Sequence, residues 1–361
     1  MSLGIGNAFA AEPQHAPGHA KRAAVSAAKK TAPAAKAAPK TPSYYLSSTS
    51  EQYDVKAAHV SHGALVTVSQ KLLSQAPAGT NPLKVLSQLP GVMFQSAEPQ
   101  GIDLWSEQIF MHGFQQQEIG FTLDGMPLGE QSLRNYNGLN ALLAISSENV
   151  QRIDVSQSAG AEDVAATNNL GGSIAYISRD PSHKMGGNVS QGFGSYANYH
   201  TFIRFDSGDL NHTGTRFYTS YSRQDGQIWK GTGEQFVQQV NAKLIQPLSA
   251  ESYLSAYFDW ADMHQFSTPD TSPEVISKVG YNVVNYYNGK QSGLQAAINA
   301  ANGIYPASFA GLEDPGDSAY YDATLNSADY LGGLKAHIAL SDRLTWDTSA
   351  YGHGETTQST W

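Results

Sequence analysis

Residues with chemical potential are few in this chain, and each has a plainer reading beside the chemical one. In "GFTLDGMPLGEQ", Gly120 to Gln131, Asp124 stands in a loop with Gly125, Pro127 and Gly129. A carboxylate in a Gly/Pro loop could hold a metal or a phosphate. Asp-Gly after alternating residues is also the sequence of a tight hairpin turn, with the aspartate bonding its own backbone. His59 and His62 are close together but lie in a polar stretch, which favours solvated side chains over metal ligands. "QGFGSYA" falls short of a dinucleotide fingerprint and opens a β-like segment rather than a helix. There is no H-x-x-x-H on a helix and no G-x-S-x-G elbow. With no cysteine, thiolate nucleophiles, disulfides and Cys-based zinc sites are excluded. The expectation is a protein that is not an enzyme, with no catalytic residue, metal ligand or cofactor.

The elements around Asp124 read as a compact α+β unit. "TNPLKVLSQLPG" has a helix start at Thr80 or Asn81, Pro82 in the first turn, Leu83, Leu86 and Leu89 inward, and Pro90-Gly91 as the stop. "ALVTVSQKLL" predicts a strand running into a helical turn, and "NGLNALLAIS" a small apolar helix. "QIFMHGF" and "IGFTLDG" read as paired strands, "NVQRIDVSQ" as a strand and "GGSIAYISRD" as a closing strand.

After Pro181 the pattern becomes long and alternating. Leu254, Ala256, Phe258 and Trp260 fall on one face of "YLSAYFDW", and Tyr253, Ser255, Tyr257 and Asp259 on the other. "LKAHIAL" and "LTWDTSAYG" repeat this alternation across the tight turn "LSDRL". Seven such strands start near His183, Tyr199, Thr213, Gln235, Glu251, Ala328 and Arg343. Sandwich strands average ~5–6 residues; the length here suits a bilayer crossed at a tilt. Tyr196, Tyr199, Tyr218, Trp229 and Tyr330 near strand ends fit an aromatic girdle. The absence of an apolar run of ~18 residues does not conflict with such a barrel. Residues 264–325 form a long tyrosine-rich loop.

The N-terminus differs again. Ala8-Phe9-Ala10 matches the small-residue pattern of a signal-peptidase site, so residues 1–10 read either as a leader remnant or as a tail without meaning. Residues 11–50 are Ala/Lys/Pro-rich, an extended tether without a core of its own. Over the whole chain, 31 acidic and 22 basic residues leave a net charge of −9, which argues against nucleic acid as the partner.

Five motifs in order, "LPGV", "MHGF", "TLDGMPLG", "NVQRIDVSQSAG" and "LGGSIAYISRDP", resemble the plug domain of TonB-dependent outer-membrane receptors. The resemblance covers Leu83 to Pro181. It implies an α+β plug domain (58–181) followed by antiparallel transmembrane β-barrel strands (182–361). The family barrel has about 22 strands, so the chain is expected to be the N-terminal part of a longer receptor in a Gram-negative outer membrane. An inner-membrane TonB protein with its energising complex would pull a box before the plug. The candidate is Glu51, Gln52, Tyr53, Asp54, Val55 and Lys56, ending at Ala57, with Ala64 to Val68 as a rival that aligns better with the first plug strand. The other implied partners are outer-membrane lipid and a small extracellular ligand such as an iron chelate.

Asp124, Gly125, Arg152, Gly171 and Gly172 match the structural motif of the plug, with Arg152 expected to pair with a carboxylate. Glu130, Gln131, Arg134, Tyr136, Tyr286 and Tyr287 are the candidate ligand contacts. The commonest ligand in the family is a ferric siderophore; oligosaccharide, cobalamin and haem stay open, as does a passive plugged porin or surface adhesin. Three departures stand out: His112 in place of the usual Arg, Ala159-Gly160 in place of Gly-Pro, and the polar "TNNLGG".

Overall fold

The computed structural model describes residues 65–131, 138–157, 164–166, 168–230, 233–266, 272–282, 295, 298–299, 302–305 and 324–360. Within them the chain builds two β systems. The first comprises β1 (Leu65–Ser69), β2 (Val92–Gln95), β3 (Gln108–Met111), β4 (Phe114–Gln115), β5 (Gly120–Leu123), β6 (Met126–Pro127), β7 (Val150–Ser156) and β8 (Ser173–Ser178). Short helices α1 (Gln70–Leu73), α2 (Pro82–Leu86) and α3 (Ala141–Ala144) connect them. The second is a seven-stranded antiparallel sheet: β9 (Met185–Gly194), β10 (Asn198–Ser207), β11 (Arg216–Gln227), β12 (Glu234–Pro247), β13 (Tyr253–Phe266), β14 (Thr324–Ser341) and β15 (Leu344–Thr360). A further helix, α4 (Pro273–Val279), lies in the long connection between β13 and β14.

Local chemistry sets the plug's elements. Asn81 caps α2 by accepting from Leu83 N at 2.9 Å, and Pro82 occupies the first turn, where its missing N–H costs nothing. Leu83, Val85 and Leu86 are buried, while Leu89 lies past the helix end and is half-buried. Asp124 and Gly125 both have positive φ, 51° and 85°, the two-residue turn that joins β5 to β6 with Leu123 opposite Met126. The plug core gathers Phe121, Leu123, Ile153, Val155, Ile174 and Tyr176, all about 1 % exposed or less.

Pairing departs from the expectation at one point. β3 and β5 do not pair: β3 lies between β2 and β4 in a three-stranded sheet, and β5 pairs with β8 in a five-stranded one. The reason is the turn at His112-Gly113, both at positive φ, which folds Phe114-Gln115 back on β3. A 3-10 turn at Gln116–Glu118 then carries the chain to the other sheet, where β5 runs parallel to β8.

In the second sheet β10 to β13 and the first half of β14 bury alternate residues. His200, Phe202 and Arg204 of β10 face the plug, and Ile203 and Phe205 face outward at 46% and 44% exposure. Leu244, Leu254, Phe258 and Leu334 continue this outward apolar face. Two expected girdle aromatics point the other way. Tyr218 is fully buried with the Arg204 guanidinium 3.8 Å from its ring centroid, and Trp229 donates its indole N–H to Ala97 O of the plug at 2.9 Å. Strand parity places Tyr218 beside Arg216 and Ser220 on the plug-facing side. Tyr196, Tyr199 and Tyr330 are exposed. No described helix is long and apolar enough to cross a membrane.

Candidate functional site: the seam between plug and sheet

The chemistry-bearing residues converge where the plug meets the inner face of the seven-stranded sheet. At the end of the sheet that carries the connection 267–323, the plug loop after β2 supplies the contacts. Asn198 Nδ2 donates to Gln100 Oε1 at 2.9 Å, Gln224 also reaches Gln100, and Leu104 N donates to Gln265 Oε1 at 3.2 Å. Beside them Lys84, Phe94, Gln95, Glu98, Pro99 and Trp229 line most of a cleft of about 390 Å³.

Midway along the strands, Asn241 of β12 accepts from Ser146 N, Ser146 Oγ and Asn149 Nδ2 at 2.8 to 3.0 Å. Tyr257 donates its hydroxyl to Ala144 O at 2.8 Å. Glu148 of the plug meets His200 of β10 at 2.5 Å. Burial pushes the Glu148 carboxyl up, but the hydrogen bond and charge of His200 outweigh it and hold the group below its ordinary value.

Towards the opposite strand ends lies a buried ion cluster. Lys243 Nζ of β12 stands 3.4 Å from Asp124 Oδ2, 2.8 Å from Asp180 Oδ1 and 2.9 Å from Ser178 Oγ. Asp124 accepts from Ser178 N at 2.9 Å and from its hydroxyl. The expectation that Asp124 bonds its own backbone is therefore corrected: its carboxylate crosses to β8 and to the barrel-type sheet. The positive φ of the turn leaves the carboxylate free to do so. Lys243 was missed in the sequence, although its place on the polar face of an alternating strand marks it as plug-facing.

The other motif residues are structural. Gly171 and Gly172 lie where a side chain has no room: a Cβ would meet Phe114 Cβ at 2.4 Å and Ser156 O at 2.2 Å, respectively. Arg152 bonds Asp154 Oδ2 of its own strand at 3.0 Å, and its side chain is 42% exposed. His112 sits at φ 51° with its ring 3.3 Å from Gln157 Oε1, within the plug.

Of the candidate ligand contacts, Gln131 is 2% exposed and its amide is engaged internally. It accepts from Ala141 N at 2.7 Å and donates to Leu139 O at 2.9 Å, which closes the loop onto α3. Glu130 is half-buried, and burial pushes its carboxyl up. Arg134, Tyr136, Tyr286 and Tyr287 lie outside the described residues, as do Glu51 to Ala57, the segments before them and Ala159-Gly160. Inside the plug, Glu107 is 2% exposed, with the Asn81 and Asn140 side chains beside its carboxyl group. Burial pushes its carboxyl up to about 8.

Comparison with known proteins fits this geometry. Residues 60–173 match the sequence model of the TonB-dependent Receptor Plug Domain. A search of the curated proteins finds no match. Among solved structures, the chain superposes on the unliganded ferric citrate transporter FecA with a TM-score of 0.57 at 15% identity, over 82% of this chain and 40% of FecA. For the ferric yersiniabactin uptake receptor FyuA of Yersinia pestis the values are 0.56 and 14%, over 83% and 42%. For the ferric-catecholate import receptor Fiu of E. coli K12 they are 0.55 and 14%, over 82% and 39%. Residues 60–173 are thus a TonB-dependent receptor plug domain, and the seven strands that follow have the fold of the barrel wall of such receptors. The chain spans about two fifths of the length of these three receptors.

Proposed function

We propose that this chain is the plug and first barrel strands of a TonB-dependent active transporter in the outer membrane of a Gram-negative bacterium. Its cargo is a scarce extracellular ligand, a ferric siderophore, delivered to the periplasm. Residues 11–50 are the periplasmic tether and Glu51 to Ala57 the box that pairs with TonB as an added strand. The connection 264–325 and the cleft between Trp229 and the plug loop face outward, towards the ligand.

The observation that carries this reading is the seam. Beside apolar packing of Val237, Tyr257, Ala261, Met263, Leu325 and Leu331 of the strands with the plug core, the plug is held by side-chain hydrogen bonds and ion pairs such as Lys243–Asp124 and Glu148–His200. Such contacts exchange with water at small net cost, so a pull on the plug can break and remake them. The iron-chelate receptors among the structural neighbours support the cargo class.

The test is uptake of a panel of ferric chelates and glycans by cells carrying the receptor, with and without residues 51–57. Energised uptake of a ferric chelate that disappears with the deletion is expected. Uptake independent of the proton-motive force would replace the reading with a passive plugged porin, and tight glycan binding without iron-regulated expression would replace the cargo.

A further inference from the structure

On the inner face of the last three strands, a group of metal-type ligands stands apart from the plug latch. Asp329 of β14 and Glu355 of β15 are direct cross-strand partners, and His353 is the partner of Leu331 two positions further along. One ligand atom from each of Asp329, His353 and Glu355 falls within 4.8 Å of the others. Asp329 is 1% exposed, and its Oδ1 lies 3.5 Å from His353 Nε2. Three ligands that converge from two adjacent strands are held by the sheet's own register.

A second observation comes from β13. Asp259 is 0% exposed, and its Oδ2 has no hydrogen-bond partner among the described residues. It shares the inner face with Asp329: Ala261 is opposite Asp329 and Asp259 is opposite Leu331, so the two aspartates are diagonal neighbours. A buried carboxylate with an open oxygen beside a second buried carboxylate is costly unless a cation or a proton intervenes. His353 adds a nitrogen donor to this oxygen-rich set.

We propose that Asp329, His353 and Glu355 form a divalent-cation site on the inner barrel wall, with Asp259 as the buried carboxylate next to it. Carboxylate oxygens with a single imidazole suit a first-row divalent ion of the Mn²⁺ to Zn²⁺ range better than a soft ion. The site has a direct route to the plug. Asn241 Nδ2 donates to Asp259 Oδ1 at 2.5 Å, and the same amide's oxygen accepts from Ser146 and Asn149 of the plug. A cation on Asp329 would act on the neighbouring Asp259 and, through it, on the amide that holds the plug at mid-height, stiffening the seam where it touches α3 and the turn after it.

The experiment is metal binding to the detergent-purified receptor after chelation, with Mn²⁺ and Zn²⁺ as separate probes. Expected are one equivalent bound per chain, a rise in thermal midpoint with that metal, and affinity at least tenfold weaker in Asp329→Asn and His353→Ala. Asp259→Asn should weaken binding at least threefold. Glu251→Gln, in the exposed turn between β12 and β13, should bind as the wild type does. Heat-modifiable migration on gels identifies variants that fail to fold, and Glu355→Gln then takes their place with the same expectation. The proposal is overturned if the wild-type chain binds neither metal, or if binding is unchanged in the Asp329 and His353 variants. Retained affinity in Asp259→Asn would overturn the link from the site to Asn241 and the plug.

Discussion

The interior of the plug and its seam with the barrel-type sheet lie only a few residues apart, yet they are held by different physics. The interior is built on Phe121, Leu123, Ile153, Val155 and Ile174, almost wholly withdrawn from water. The seam shares in that apolar packing through Tyr257, Ala261, Met263 and Leu331 of the strands, and adds Lys243 with Asp124 and Asp180, Glu148 with His200, and Asn241 with Ser146 and Asn149. Apolar packing is lost all at once when volume is removed, because nothing replaces the missing contacts. Polar pairs can be traded for water one by one. The difference teaches that the folding of the plug and its attachment to the strands can be perturbed separately.

The largest expected effect is on the interior. Phe121→Ala should cost about 3–5 kcal/mol, seen as loss of the cooperative unfolding step assigned to the plug. If the step survives at wild-type temperature, the interior is not what holds the plug together. Next comes the seam: Lys243→Met leaves the carboxylate of Asp124 buried without its cation, and removing one partner of a buried pair costs about 3–5 kcal/mol. Part of that is offset because Asp180 is half-exposed and can turn to water. Limited proteolysis should show the plug released but still folded, which separates this variant from Phe121→Ala.

The pH dependence should divide the two regions by sign. Glu148 is held below its ordinary value in the folded protein, so its contribution is present above the unfolded value and is lost as pH falls through the folded one. Glu107 runs the other way: raised from 4.5 to about 8 by burial, it contributes fully below 4.5, and that contribution is lost as pH rises towards 8. Acid should therefore loosen the seam and base the interior. Glu107→Gln should gain about 1–4 kcal/mol at pH 8 and little at pH 5; a gain independent of pH would show that Glu107 is not the titrating group. The smallest effect belongs to Arg152→Ala. Its pair with Asp154 is a partly exposed, same-strand contact, and a change under about 0.5 kcal/mol in denaturant midpoint is expected.

Much of the architecture was legible because it is written in short stretches. Asp124-Gly125 demands a turn with two positive φ values, Asn81-Pro82 starts a helix, and period-two alternation after Pro181 marks seven strands. The candidate site was legible only in part. Asp124 drew attention, but Lys243, Glu148 and Asn241 did not, since an isolated polar residue on an alternating strand looks like any other lumen-facing one. Tyr218 was misjudged for the same reason: its position near a strand end suggested a lipid interface, and parity turned it inward.

What the sequence by itself determined, then, are the features fixed by neighbours along the chain: turns, caps, strand length and the polar face of each strand. These depend on backbone sterics and on spacing within a few residues. Tertiary structure alone decided that β5 runs parallel to β8 rather than pairing with β3, and that Asp124 bonds Ser178, 54 residues away, and meets Lys243 of β12. Those choices depend on which surfaces meet after the chain has closed long loops, and no local pattern records the partner on the other side.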